Sequence, residues 1–148
     1  MSDTTMVIMR GIPFIKFRET EYSASVPWNR DKVHIMLLAN NLKEMAVTVD
    51  CFQKVAEDLP AFIRRTKLKA VWEAVKNRKN ITKVRFAHFY ELTEPERMVF
   101  AGDCAVLTYV IPAPEGNIYI KVMENSRTGE ISNVRIERQG YESNSKPT

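Results

Sequence analysis

The chain has 148 residues, of which 45% are hydrophobic and 27% charged, with 5 Gly, 7 Pro and a net charge of +4. This composition excludes a disordered chain and predicts one globular domain over residues 1–138, with a flexible polar tail over residues 139–148. Neither a membrane-spanning run of roughly 18 apolar residues nor a secretory leader is present, so we expect a cytoplasmic protein without a membrane partner.

The N-terminal residues Met6–Arg18 are rich in β-branched and aromatic side chains, which predicts one strand or two short ones. Residues Tyr22–Trp28 are expected to form a connection to the first helix. Asn29 or Asp31 is the predicted N-cap of that helix, because their side chains accept hydrogen bonds from free amides.

Apolar side chains then recur three and four residues apart from Ile35 to Leu59, which predicts a long helix. A rival interpretation makes Met45–Val49 a strand, and we favour the helix. Pro60 suits the first turn of a further helix, because its missing amide costs nothing there. On that helix the spacing predicts a buried face formed by Leu68, Val71, Trp72 and Val75.

Positive charge is concentrated between residues 64 and 85, where nine basic residues stand against the single acidic residue Glu73. The nine are Arg64, Arg65, Lys67, Lys69, Lys76, Arg78, Lys79, Lys83 and Arg85. Such a segment creates a positive potential that attracts nucleic-acid phosphate or an acidic protein surface. A well-solvated helix face is the alternative interpretation.

In the second half of the chain the spacing of apolar residues changes from a helical spacing to alternation. Residues Ile81–Leu92 alternate, which predicts a strand with His88 and Tyr90 on one face and Lys83, Arg85 and Phe89 on the other. Residues 93–96 are expected to form a turn. Residues Arg97–Ile111 are almost continuously apolar apart from Asp103, as in a strand covered on both faces.

A hairpin is predicted from Asn117–Glu124 and Glu130–Arg138, closed by the turn Asn125–Gly129. The predicted fold class is therefore α+β, with an N-terminal strand and two or three helices. These helices would pack on one face of a C-terminal antiparallel meander of about four strands.

Residues 101–138 carry the pattern AGDCAVLTYVI, a short turn, GNIYIKVMEN and RTGEISNVRIERQ. This pattern is similar to the closing strands of the nuclear-transport-factor-two-like and cystatin-like α+β folds. The resemblance implies a curved sheet that wraps a long helix and can leave a conical pocket. The resemblance does not identify any functional residue in this sequence.

Candidate catalytic residues are few. His88 with Tyr90, oriented by Asp103, would form a general base beside a pocket, although a half-buried histidine satisfied by one hydrogen bond is the commoner case. Cys51 and Cys104 lack a CxxC or Cys/His spacing, which is typical of reduced thiols, and no metal or cofactor motif is present.

The favoured hypothesis is a non-enzymatic protein that binds nucleic acid or another polyanion through residues 64–85, mostly by phosphate contacts. The nine basic residues and Phe89, a candidate for stacking on unpaired bases, would form this surface. Two alternatives stay open: a cone-shaped pocket around His88 and Tyr90 that serves a small enzyme or ligand carrier, and a protein-interaction, inhibitor or assembly module. A homodimer is compatible with each.

Overall fold

The computed structural model describes residues 5–29, 31–76, 83–112 and 116–138, and four strands precede the helices there while four follow them. The strands are β1 (Thr5–Met9), β2 (Ile12–Arg18), β3 (Glu21–Trp28), β4 (Asp31–Leu38), β5 (Glu94–Ala101), β6 (Cys104–Ile111), β7 (Ile118–Asn125) and β8 (Ile131–Arg138). The helices are α1 (Leu42–Val55), α2 (Leu59–Val75) and α3 (Lys83–Leu92), with a 3₁₀ turn at Ala56–Asp58 between the first two.

All eight strands belong to one sheet, in which each strand lies beside its neighbours in the sequence. Every neighbouring pair is antiparallel except β4 and β5, which run parallel with His34 opposite Arg97 and Leu38 opposite Ala101. A parallel pair needs a crossover connection, and the three helices supply it. The two antiparallel halves of the sheet therefore meet at its centre.

The predicted fold class is wrong. Four strands, and not one, precede the helices, and the sheet is a mixed sheet of eight strands instead of a meander of about four. Tyr22–Trp28, predicted to be a connection, lies within β3. Ile35 and Leu38, assigned to the long helix, belong to β4, and the N-cap of α1 is Asn41 instead of Asn29 or Asp31.

The error has a physical cause in β4. Val33, Ile35 and Leu37 are buried at the period of two that a strand with one covered face requires. Ile35 and Leu38 also stand three residues apart, and Leu42 follows at four, so the same residues satisfy a helical spacing. Met45–Val49 lies within α1, which agrees with the interpretation that we favoured.

The second half also differs from expectation. Residues Lys83–Leu92 form α3 and not a strand, and β5 already begins at Glu94, where a turn was predicted. The apolar run Arg97–Ile111 contains most of β5 and all of β6, which the turn at Gly102–Asp103 separates. The predicted hairpin is present as β7 and β8, and the predicted tail lies outside the described residues.

One cluster of buried side chains joins both halves of the sheet to α1 and α2. Its largest members include Phe14 from β2, Phe52 from α1 and Phe100 from β5, whose rings meet edge to face at 5.2 and 5.4 Å between centroids. The buried Thr48 hydroxyl accepts a hydrogen bond from the Gly102 amide at 2.7 Å, which ties α1 to the β5–β6 turn. The core thus holds α2 in a fixed position against the sheet.

Candidate functional site

Helix α2 carries most of the predicted basic residues that the structure describes. Its start is determined locally, because the Asp58 side chain accepts a hydrogen bond from the Ala61 amide at 3.1 Å and Pro60 occupies the first turn. The side chains that it buries are Leu59, Phe62, Ile63, Thr66, Ala70, Val71 and Val75. Of the remaining surface, one part contacts α3, where the Trp72 and Phe86 rings lie 6.4 Å apart between centroids, and another part faces solvent.

We define the outer face of α2 as Arg64, Leu68, Lys69 and Trp72 together with Lys76, the residue that caps the helix C-terminus, all of which are exposed. Leu68 and Trp72 were predicted to be buried together with Val71 and Val75, and this prediction is wrong for both. Leu68 is 53% exposed and Trp72 is 48% exposed. The helix packs through a stripe that includes Ile63 and Ala70, and this rotation turns the Trp72 indole outward.

A groove separates α2 from the turn between β7 and β8. Its lining combines cationic side chains of α2 with apolar side chains from both walls: Arg65, Leu68, Lys69, Trp72, Gly129 and Ile131. Its volume is about 520 Å³, and it is open to solvent along the helix. The groove therefore offers an exposed aromatic ring next to positive charge.

Several of the predicted phosphate-binding residues make contacts within the protein. The Arg65 Nη2 donates to Glu124 Oε2 at 2.8 Å, and its guanidinium also lies 5.3 Å from the centre of the Phe62 ring. The Lys67 Nζ lies 4.3 Å from the centre of the Tyr90 ring, and its burial lowers the pKa of this lysine. These two cations hold neighbouring elements to α2.

Two cations of the outer face have no ion-pair partner among the residues that the structure describes. Arg64 and Lys69 are exposed, and neither forms an ion pair with another residue that the structure describes. Lys76 forms an exposed ion pair with Glu73 at 2.8 Å, of a kind that contributes little to stability. Within the described part of the chain, Arg64 and Lys69 are therefore available to meet an anion, and Lys76 is available at small cost.

The remaining predicted basic residues fall elsewhere. Arg78 and Lys79 lie outside the described residues, as does the side chain of Lys83. Arg85 and Phe89 belong to α3, so they do not share a sheet face with Lys83 as expected. Phe89 is half-buried, and the exposed aromatic side chain of this region is Trp72.

Sequence reasoning missed the exposure of Trp72 because an i, i+3, i+4 spacing assigned it to the core. One feature of the sequence could have indicated that Trp72 is exposed. Lys69 and Lys76 stand three residues before and four residues after Trp72, so all three fall on one side of a helix. A tryptophan between two cations on one face is compatible with solvent exposure.

The candidate catalytic residues are not brought together. His88 is exposed on α3, and Tyr90 lies under Lys67. Asp103 follows the far end of the eight-residue strand β5, where the Ser126 hydroxyl donates to its backbone carbonyl at 3.0 Å. The predicted pocket around His88 therefore lacks its orienting carboxylate.

Among residues 5–29, 31–76, 83–112 and 116–138, no three His, Cys, Asp or Glu side chains are grouped to hold a metal ion. No helix in these same ranges is long and apolar enough to cross a membrane. Comparison of the chain with protein-family models, with characterised proteins and with solved structures finds no match.

Proposed function

We propose that the protein binds single-stranded nucleic acid through the outer face of α2 and acts as a binding protein without catalytic activity. The observation that carries the proposal is the half-exposed indole of Trp72, flanked on the same helix face by Lys69 and Lys76. Proteins that bind single strands combine cations along the phosphate backbone with aromatic rings on which bases stack.

Each component has a separate task. The ammonium groups of Lys69 and Lys76 attract phosphates and release their counterions, which supplies affinity without sequence preference. The Trp72 indole stacks on an unpaired base, a contact worth about 1–3 kcal/mol in proteins that bind single strands. Leu68 and Ile131 provide apolar surface along the groove for the sugar and the base edge.

The proposal predicts a shallow salt dependence. With Arg64, Lys69 and Lys76 as the phosphate contacts, the slope of log K against log salt for a single strand is about −2, from about −0.7 for each neutralised phosphate. A steeper slope would mean that further cations take part. Double-stranded nucleic acid should bind more weakly, because its paired bases cannot stack on Trp72.

The test is fluorescence anisotropy with a labelled single-stranded oligonucleotide at low salt. We expect Trp72→Ala to weaken binding at least fivefold and Lys69→Glu to weaken it about tenfold. The unfolding temperature should be unchanged for Lys69→Glu, whereas Trp72→Ala also removes the contact with Phe86 and should lower it while the protein stays folded at the assay temperature. Phe17→Ala is the matched control for the aromatic ring, since Phe17 is 56% exposed on β2. Lys43→Glu on α1 is the matched control for charge, since Lys43 is exposed and forms no ion pair with another described residue.

Two results would overturn the proposal. One is the absence of binding at low salt. The other is equal weakening by Lys69→Glu and Lys43→Glu, which would show that net charge and not the outer face is responsible.

A further inference from the structure

Strand β1 is an edge strand without the usual protection. In the part of the chain that the structure describes, β1 pairs only with β2, so one side of its backbone has no partner strand. Its sequence, TMVIM, contains no charged residue and no proline. Met6 is 61% exposed and Ile8 is 67% exposed. Edge strands of this kind are templates for pairing with another strand.

The opposite edge of the sheet is different. Strand β8 places Arg135 and Glu137 among its eight residues, and both side chains reach solvent. Charged side chains on an edge strand disfavour pairing with a further strand. The sheet therefore has one protected edge and one unprotected edge.

The hairpin between β1 and β2 determines which backbone groups point outward. Arg10 and Gly11 form its two-residue turn with φ values of 51° and 80°, and Met9 faces Ile12 as the closing pair. In a hairpin of this type the closing pair is hydrogen-bonded, and bonded and non-bonded pairs alternate from there. Val7 therefore directs its amide and carbonyl toward β2, whereas Met6 and Ile8 direct theirs away from the sheet.

The placement of Pro13 agrees with this assignment. Pro13 lies opposite Ile8, where no hydrogen bond joins the two strands, so its missing amide costs nothing at that pair. Met6 and Ile8 are therefore the two residues of β1 whose backbone groups point away from the sheet. Their side chains are also the most exposed apolar side chains of the strand.

We propose that β1 pairs with β1 of a second copy of this chain, antiparallel and with the twofold axis at Val7. This register places Met6 of one copy opposite Ile8 of the other, and each such pair has both its amides and carbonyls directed at the partner strand. The side chains of each pair are apolar, so no charge opposes the contact. The pairing makes one continuous sheet of sixteen strands.

A closed dimer through two β1 strands fits this edge better than an open-ended assembly in which β1 of one copy pairs with β8 of the next. Pairing β1 with β1 uses the same edge on both molecules and closes the assembly, which leaves only the charged β8 edges outside. Pairing β1 with β8 would instead place apolar side chains against Arg135 and Glu137. The contact is one five-residue strand from each copy, which predicts a weak dimer that dissociates on dilution.

The first measurement is the mass of the full chain in solution between about 1 and 200 μM, by sedimentation velocity. We expect the mass to rise from 17.1 kDa to about twice that value across the micromolar range. A monomer throughout this range would overturn the proposal.

Variants then test the register. Ile8→Lys should remain monomeric at all concentrations, because the introduced charge faces Met6 of the other copy. The double variant Met6→Lys with Ile8→Glu should dimerise again, because each introduced lysine then faces the introduced glutamate of the other copy. Phe17→Lys, a charge at an exposed apolar residue of β2, is the matched control and should still dimerise. An Ile8→Lys variant that dimerises like the wild type would overturn the proposal.

Hydrogen exchange provides a second test that needs no variant. The amides of Met6 and Ile8 should exchange fast at 1 μM and become protected at 200 μM, while the Val7 amide, which faces β2, is protected at both concentrations. Equal exchange of the Met6 and Ile8 amides at both concentrations would contradict the proposed pairing even if a dimer forms by another surface.

Discussion

The Arg65 guanidinium on α2 donates a 2.8 Å hydrogen bond to Glu124, a β7 carboxylate with no exposed surface. The second carboxylate oxygen of Glu124 has no hydrogen-bond partner among the described residues. Arg65 is itself about half exposed and also reaches the Gly129 carbonyl at 3.5 Å. A cation expected to contact phosphate therefore neutralises a buried charge and joins α2 to the β7–β8 hairpin.

Replacing Arg65 with methionine should destabilise the protein by about 2 kcal/mol. The variant leaves the Glu124 carboxylate buried without its partner, and the loss is smaller than for a fully buried pair because water reaches half of Arg65. Urea unfolding at neutral pH measures the change. Arg64→Met is the matched control and should change stability by less than about 0.5 kcal/mol, because Arg64 is exposed and without an ion pair to a described residue.

The double variant Arg65→Met with Glu124→Leu separates charge pairing from packing. It should recover most of the lost stability, because both buried charges are then absent. An Arg65→Met protein with wild-type stability and lost oligonucleotide affinity would show that Arg65 serves binding instead of the fold.

Lys67 should be dispensable for nucleic-acid binding. Its ammonium lies over the Tyr90 ring, and partial burial lowers its pKa, so it contacts α3 and not the outer face of α2. Lys67→Met keeps the apolar stem over Tyr90, and we expect stability within about 1 kcal/mol of wild type. Oligonucleotide affinity should stay within about twofold, whereas Lys69→Met, two positions away, should lower it by about fivefold at low salt. Equal losses of affinity in both variants would contradict this assignment.

Tyr109 should make stability fall at high pH. Its phenol is fully buried in the core, shares a hydrogen bond with the Thr66 hydroxyl and donates to the Ile63 carbonyl at 3.0 Å. Burial raises the pKa of Tyr109 well above its usual value near 10. The folded protein therefore keeps a proton that the unfolded chain loses above pH 10, so this stabilisation is complete below pH 10 and declines as the pH rises further.

Tyr109→Phe provides the comparison for that pH dependence. The variant removes both hydrogen bonds of the phenol and should cost about 1–2 kcal/mol at pH 8. Urea unfolding of both proteins at pH 8 and pH 11 measures their free energies of unfolding. The difference between these two free energies should be smaller at pH 11 than at pH 8. A difference that stays constant would mean that Tyr109 does not contribute to alkaline unfolding.

Local signals in the sequence predicted several elements correctly. Turn residues between two alternating segments identified the β7–β8 hairpin, and Pro60 correctly marked the first turn of α2. These signals depend on backbone preferences of a few adjacent residues, which act whatever the rest of the chain does. The helical assignment of Met45–Val49 rested instead on the apolar spacing of the run from Ile35 to Leu59, which was right there and wrong at Ile35 and Leu38.

Helix α3 shows the opposite case. Its residues 83–92 alternate between apolar and polar side chains, yet they form a helix that packs mainly on α2. Among residues 85–92 the half-buried side chains are Phe86, Phe89 and Tyr90, which stand at a helical spacing. Phe86 and Tyr90 also fit an alternating pattern, so the sequence favoured a strand. The Lys67–Tyr90 and Trp72–Phe86 pairs join it to α2.

The sequence alone was enough to predict a folded chain, the β7–β8 hairpin, the start of α2 and the concentration of cations along residues 64–85. Tertiary structure alone decided that four strands precede the helices, that β4 joins β5 in parallel, and that Trp72 faces solvent. The physical reason is that turns and caps depend on neighbouring residues. The side of a helix that becomes buried, and the partner that each cation finds, depend on segments distant in the chain, as Arg65 and Glu124 show.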